Sequence, residues 1–255
     1  MITSFNSEPF TFRVLTVNVH KGFTFFNRKF ILPELRDAVR RVSADIVFLQ
    51  EVIGTHKEYA ILHKNWPPTP QYEFIADTMW PDFAYGRNAV YPHGHHGNAL
   101  LSKFPIVRYD NLDISISGPE KRGLLHCVLY LPPINTEIHV ICVHLGLREA
   151  HRQQQLALLC ALIKTLPADA PLTVAGDFND WGLRAHEILA RGSGLQEIFV
   201  SRFGQAVKTF PAFHPLVCLD RIYVRNVRMH RPIDLPNRPW AHLSDHAPLA
   251  AEIQL

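Results

Sequence analysis

One pattern recurs along this chain: a short apolar run that stops abruptly on polar side chains. Its clearest copy is Leu172 to Trp181, Leu-Thr-Val-Ala-Gly-Asp-Phe-Asn-Asp-Trp. The apolar part reads as a buried β-strand. A carboxylate inside such a strand is costly, whereas one at the strand end can face a cleft. Asp177 and Asn179 are two residues apart, so in extended chain they point to the same side. A carboxylate and an amide aimed together suit holding a water or a metal-bound oxygen. The same residue types also make an ordinary turn after a strand, so this segment alone does not choose between the two.

The repetitions choose. Thr11 to His20 runs into Asn18-Val-His, Ile46 to Leu49 into Gln50-Glu51, and Ile138 to Leu145 carries His144 near its end. Later in the chain the order reverses. Asp220 opens the strand candidate Leu219 to Val224, and Ser244-Asp245-His246 precedes Ala247 to Leu255. If the late strands run antiparallel to the early ones, strand ends and strand starts meet on one edge. Helices are expected at Pro33 to Val42, His56 to Asn65, Arg148 to Leu166 and Ala185 to Ala190, the third with Leu156, Leu159, Ile163 and Leu166 on one face. Further strands are expected at Tyr72 to Ala76 and Asn98 to Ser102, and a hairpin joins Leu124–Leu131 to Ile138–Leu145. Asp77 to His96, rich in Trp, Phe, Tyr, Pro and Gly, is expected to be irregular and to contact substrate. Strands outnumber helices and helices separate only some of them. That suits an α/β fold built as a mixed-sheet sandwich with helices outside, in a single domain over 1–255 with a short N-terminal extension at 1–10.

Composition narrows the class of function. A formal net charge of +3 with both signs dispersed offers no evident basic patch for nucleic acid. No apolar run is long enough to span a membrane, and Met1 to Glu8 is polar with no secretory h-region. Cys127, Cys142, Cys160 and Cys218 lie far apart without metal-ligand spacing, as buried reduced thiols do. The expectation is a cytoplasmic monomer.

Asn18, Glu51, His144, Asp177, Asn179, Asp220, Asp245 and His246 would then converge in one cleft. Several carboxylates in one place repel unless a cation sits among them. Their oxygen-rich character favours a hard divalent ion, Mg²⁺ or Mn²⁺, over zinc. Histidines beside such a site suit a developing phosphoryl charge or a leaving oxygen. This is the equipment of metal-assisted phosphate ester hydrolysis.

The same segments carry a resemblance. Asn18-Val-His, Leu49-Gln-Glu51, Val143-His-Leu145, Gly176-Asp-Phe-Asn179, Leu219-Asp-Arg-Ile-Tyr223 and Ser244-Asp-His-Ala-Pro248 resemble, in order, the motifs of the endonuclease/exonuclease/phosphatase superfamily. Coverage runs from about Arg13 to the C-terminus, and the chain is most similar to an uncharacterised bacterial branch on the DNase I and sphingomyelinase side. The resemblance implies a four-layer α-β-β-α sandwich of two mixed sheets flanked by helices. It implies Glu51 as principal metal ligand with Asn18 beside it and Asp245 at or near the metal. Asp177 would polarise the attacking water, Asn179 orient it, and Asp220 fix the imidazole of His246, which hydrogen-bonds the scissile phosphate. His144 matches a histidine of the DNase I and sphingomyelinase branches that abasic-site endonucleases of the exonuclease III branch lack.

Outlying candidates carry two readings each. His20 either touches phosphate or caps a strand end. His93, His95 and His96 form either a phosphate or metal contact or a solvated loop. Arg152 either reaches substrate phosphate or lies on a solvated helix face. Trp80, Phe83, Tyr85 and Arg87 form either a substrate wall or loop packing, and Trp181 is placed at the cleft rim. The function expected is a Mg²⁺- or Mn²⁺-dependent phosphodiesterase acting on a lipid headgroup, nucleotide derivative or other small ester. The alternatives are a DNase I-like nuclease on DNA or RNA and an inactive binding module on the same fold.

Overall fold

The structure, a computed structural model, describes residues 9–255. The expected extension at 1–10 therefore falls, apart from its last two residues, outside the described residues. In chain order the elements are β1 (Thr11–Asn18), α1 (Leu32–Val42), β2 (Ile46–His56), α2 (Lys57–Leu62), α3 (Gln71–Ala76), β3 (Asp82–Tyr91), β4 (Gly94–Ser102), β5 (Ile106–Asp113), β6 (Gly123–Leu131), β7 (Thr136–His144), α4 (Glu149–Thr165), β8 (Leu172–Asp177), α5 (Ala185–Ser193), β9 (Gln196–Glu197), α6 (Ile198–Phe203), β10 (Asp220–Arg225), β11 (Met229–Ile233), α7 (Asn237–Trp240) and β12 (Leu249–Gln254).

The strands form two six-stranded mixed sheets, ordered β11-β12-β1-β2-β4-β3 and β5-β6-β7-β8-β10-β9. Strand alternation sorts their side chains into three apolar layers. Val14, Ile46, Phe48 and Leu100 of the first sheet meet Leu125, Cys127, Val140, Ala175 and Ile222 of the second between the sheets. Leu15, Val47, Leu49 and Leu101 face outward and pack on α1 and α3. Ile141, Val143 and Val174 face outward on the other side and pack on α4 and α5. The four-layer sandwich follows, because each sheet has two apolar faces to cover.

Three readings of the sequence are corrected. Tyr72 to Ala76 is not a strand but lies in α3, where Ile75 and Ala76 reach the helix-side core. Asp77 to His96 is not a long loop, since most of it is the β3–β4 hairpin. Its alternation was obscured by a bulge between Arg87 and Ala89 and by the glycines, and a bulge shifts the period by one residue. β2 does not end at Glu51 but continues to His56 through two register shifts against β4.

Between the sheets each central strand changes character along its length. β1 presents Val14, Thr16, Asn18; β2 presents Ile46, Phe48, Gln50; β4, read backwards, Leu100, Asn98, His96; β7 presents Val140, Cys142, His144. β1 and β2 run parallel, β7 and β8 run parallel, and β10 runs antiparallel to β8 with Asp220 opposite Asp177. Every polar end therefore comes to the same edge of the sandwich. Gln50 and Asn98 knit the sheets just beneath it: Gln50 Nε2 donates to Cys142 Sγ at 3.2 Å, and Asn98 Nδ2 donates to the carbonyl of Gly123 at 2.9 Å.

Candidate active site

Asp177 is the centre of this edge. Its Oδ1 accepts the backbone N–H of Asn179 at 2.9 Å and its Oδ2 accepts Asn18 Nδ2 at 3.2 Å. His144 Nε2 and His246 Nε2 stand 3.6 and 3.7 Å from the same Oδ2. β8 can hold it there because Gly176 lies against β7, where a Cβ would come 1.9 Å from the carbonyl oxygen of Val143. Asn179 turns back in a left-handed conformation, φ 48°, and its Nδ2 donates to the carbonyl of Leu145 at 2.9 Å.

Behind Asp177 sits the histidine–aspartate pair. His246 Nδ1 and Asp220 Oδ2 are 2.9 Å apart, and both residues are buried. Thr209 Oγ1 receives the N–H groups of Leu219 and Asp220, and Ser244 Oγ donates to the carbonyl of Asn18, which ties the turn before His246 to β1. Burial opposes a charge on His246, but Asp220 and Asp177 outweigh it and hold the imidazolium well above the usual histidine range. Burial raises the Asp177 carboxyl in turn, against the pull of His246. His144 stays neutral, since burial and the nearby Arg122 both work against its proton.

Glu51 reaches the cleft through backbone strain. Gln50 already points between the sheets, so regular alternation would turn Glu51 toward the helices. The bulge between Leu49 and Val52, with Glu51 at φ 56°, re-aims it. Its carboxylate meets Lys21 Nζ at 3.0 Å. Burial works against its charge, but Lys21, through both its charge and its hydrogen bond, prevails and holds it well below the ordinary carboxylate range. His20 Nδ1 lies 3.7 Å from Asp245 Oδ1.

Residues 15–246 match the Endonuclease/Exonuclease/phosphatase family. The chain belongs to the endonuclease/exonuclease/phosphatase family. It is 60% identical to the uncharacterised protein YbhP of Escherichia coli (strain K12) over 249 residues, 98% of each chain, and equally so to YbhP of Shigella flexneri. The fold is that of an endonuclease/exonuclease/phosphatase from Beutenbergia cavernae, at TM-score 0.73 and 17% identity over 96% of this chain and 72% of the other. It is also that of D. rerio TDP2, solved with single-strand DNA product, at TM-score 0.68 and 18% identity over 96% and 98%.

Within this family member the outlying candidates separate. Trp181 stands half exposed at the rim, against Phe210, which packs on His246 at 5.1 Å. Arg152 is buried and donates to the carbonyls of Gly146 and Leu147 and to Glu149. Its guanidinium fixes the loop after His144 from behind instead of pointing into the cleft. Arg87 shares the helix-side face of β3 with Tyr85, next to His95, which turns it away from the space between the sheets. Trp80 is core, its Nε1 donating to the carbonyl of Ala44.

The histidine cluster of the β3–β4 hairpin divides three ways. His93 pairs with Glu58 at 3.2 Å on the surface, His95 bonds Tyr85 Oη at 2.9 Å on the helix side, and His96 faces the cleft. Burial and Lys21 lower the His96 imidazole to about 4, and its Nδ1 is buried without a partner. His96 was one of three adjacent histidines in the sequence; only the strand alternation of β4 sets it apart. Lys21 and Arg122 were not legible as cleft residues at all, and Ser244 only as part of the Ser244-Asp245-His246 run.

Proposed function

We propose that the protein is a divalent-metal-dependent phosphodiesterase that hydrolyses its substrate by in-line attack of water. Family membership makes phosphate ester hydrolysis the class of chemistry. The observation that carries the finer reading is the convergence on Asp177 Oδ2 of Asn18, His144 and His246, with Asp220 behind His246.

Asp177 is the group that takes the proton of the attacking water. Its carboxyl is raised toward neutrality by burial, which suits a base working near pH 7. Asn18 and the Asn179 backbone keep the carboxylate oriented while it does so. His246, held as an imidazolium by Asp220, donates from Nε2 to a phosphoryl oxygen. His144, neutral and buried, contributes a hydrogen bond on the other side of the phosphate or to the leaving oxygen. Preorganised donors of this kind are typically worth on the order of 10²–10³ in rate each.

Asp177, Asp220 and His246 offer ligand atoms within 4.8 Å of one another, a spacing that also suits a metal ion. Both nitrogens of His246 face carboxylates, however, and an imidazolium has no free lone pair for a metal. A proton is the cation this triad suits. Glu51 is the better metal ligand: its carboxylate stays ionised, and the Asp245 carboxylate shares its neighbour His20. Glu51, Asn18 and Asp245 would hold Mg²⁺ or Mn²⁺. When bound, such an ion supplies Lewis-acid stabilisation of the negative charge that builds on the phosphoryl oxygens. The location proposed is the cytoplasm; among the described residues no helix is long and apolar enough to cross a membrane.

The test is hydrolysis of bis-p-nitrophenyl phosphate against the monoester, with Mg²⁺ or Mn²⁺ and with chelator, and with Asp177→Ala as control. Metal-dependent diester cleavage that disappears in the variant is expected. Monoester cleavage that outruns the diester would overturn the phosphodiesterase reading. Metal-independent cleavage would overturn the role given to Glu51.

A further inference from the structure

Beside His246 the cleft continues into an apolar wall that the hydrolytic machinery does not use. Phe210 packs on His246 at 5.1 Å and meets Trp181 at 6.1 Å and Phe25 at 6.3 Å. Phe25 in turn touches Phe26 at 4.1 Å and Phe213 at 5.5 Å. These rings come from separate loops: the turns after β1, the turn after β8, and the loop before β10. None is needed for the core, and the outer members are turned to solvent. Phe26 is 69% exposed, Phe213 53%, Trp181 50%, and the adjoining Leu183 and Leu216 are 54% and 57%. Large apolar side chains clustered in this way at a functional cleft mark an interaction surface.

We propose that this wall docks the protein on an anionic phospholipid bilayer, and that the cleft takes its phosphodiester from a lipid headgroup. The headgroup assignment rests on the phosphodiesterase reading above; the docking does not. Two features favour lipid over the planar bases of a nucleic acid. The rings are tilted to one another by 55–72° along the whole chain of contacts, so they present edges and no common plane. Bases stack on open ring faces, whereas acyl chains and glycerol backbones have no plane to match and pack equally well on ring edges. Leu183 and Leu216 extend the wall with aliphatic surface. At its border the Arg28 guanidinium lies 5.5 Å from the Phe26 ring centroid, and the mostly exposed Arg184 side chain is paired with Glu149 at 3.5 Å. Aromatic side chains at the level of the headgroups with arginine beside them are the composition of an interfacial membrane contact.

The test is co-sedimentation of the full chain with vesicles of phosphatidylcholine alone and of phosphatidylcholine with about a quarter phosphatidylglycerol, followed also by the emission of Trp181. Binding to the mixed vesicles with a blue shift that Trp181→Phe removes is expected. Phe26→Ser and Phe213→Ser should each lower partitioning on the order of tenfold, and Leu216→Ser, which leaves every ring in place, by less. All three side chains are more than half exposed, so the variants are expected to fold, and circular dichroism checks this. No vesicle binding by the wild-type chain overturns the proposal. So does vesicle binding that these variants leave unchanged, or tight binding of a single-stranded oligonucleotide that quenches Trp181 in place of vesicle binding. Failure of the enzymatic reading is seen separately, as absent cleavage of bis-p-nitrophenyl phosphate.

Discussion

His246 in the cleft is buried, His126 on the outer face of the second sheet is half-buried, and each holds a partner at 2.9 Å. The partner of His246 is Asp220; that of His126 is the Nδ1 of His139, with the two rings stacked at an interplanar angle of 10°. Burial disfavours the charged imidazole in both places. Beside Asp220 and Asp177 the proton is nevertheless kept and the pKa rises. At His126 burial is reinforced by His139, the pull of Asp110 is too weak to offset them, and the pKa falls to about 4. Burial sets the cost of a charge and the partner decides whether it is met. A buried histidine pair is thus a piece of neutral packing, and a buried histidine between carboxylates is a poised donor.

The sharpest way to break this comparison is rate. His246→Ala and Asp177→Ala should each lower diester hydrolysis by on the order of 10²–10³ or more, with the fold intact by circular dichroism. His126→Gln and His139→Gln should leave it within about twofold, because surface and packing sites away from the cleft act on stability. Equal losses from both pairs would remove the distinction.

A finer probe is Asp220→Asn, which keeps a hydrogen-bonding atom against His246 Nδ1 and removes the charge. We expect a loss of about 10–10² and an alkaline limb of the pH–rate profile displaced to lower pH, since the imidazolium loses a main support. An unmoved limb would show that Asp220 does not hold the proton.

Stability should respond to pH with opposite signs in the two regions. His126 has a folded pKa of about 4 against an unfolded value near 6.5. In that window the unfolded chain binds a proton and the folded chain does not, so stability falls as pH drops, by about 1.4 kcal/mol per unit for one such histidine at the steepest. His126→Gln should flatten the dependence in urea unfolding between pH 6.5 and pH 4. His246 is raised, so its contribution is complete below the unfolded value and is lost as pH rises through the folded one. His246→Gln should therefore cost most stability on the acid side.

Smaller effects are expected from the two arginines first considered as substrate contacts. Arg152→Ala should cost about 1–3 kcal/mol by orphaning the carbonyls of Gly146 and Leu147. It should reduce the rate only through the loop after His144, and KM less than kcat. Arg87→Ala should change stability by no more than about 0.5 kcal/mol and leave KM where it was. A large rise in KM would bring Arg87 back to the substrate.

The architecture was legible where periodicity was clean. Leu32, Leu35 and Val39 announced α1, and the apolar runs ending in Asn18, His144 and Asp177 announced the central strands and the edge on which they meet. It was illegible where a bulge broke the period, as at Arg87 and Ala89, because a one-residue slip exchanges the faces of a strand and erases alternation. Tyr72 to Ala76 was misread for a related reason: a short apolar run has the same composition in a strand and in a helix.

By itself the sequence determined which chemical groups are available and the order in which they arrive: carboxylates, amides and histidines at the ends of apolar runs. Those are local properties, carried by composition and spacing. The tertiary structure decided which groups meet. It aimed Glu51 inward through a left-handed bulge, drew His96 out of three adjacent histidines, brought Lys21 to the Glu51 carboxylate, and turned Arg152 and Arg87 away. It also set the charges, because a pKa follows from burial and from neighbours that lie far apart in sequence, as Asp220 and His246 do across the cleft.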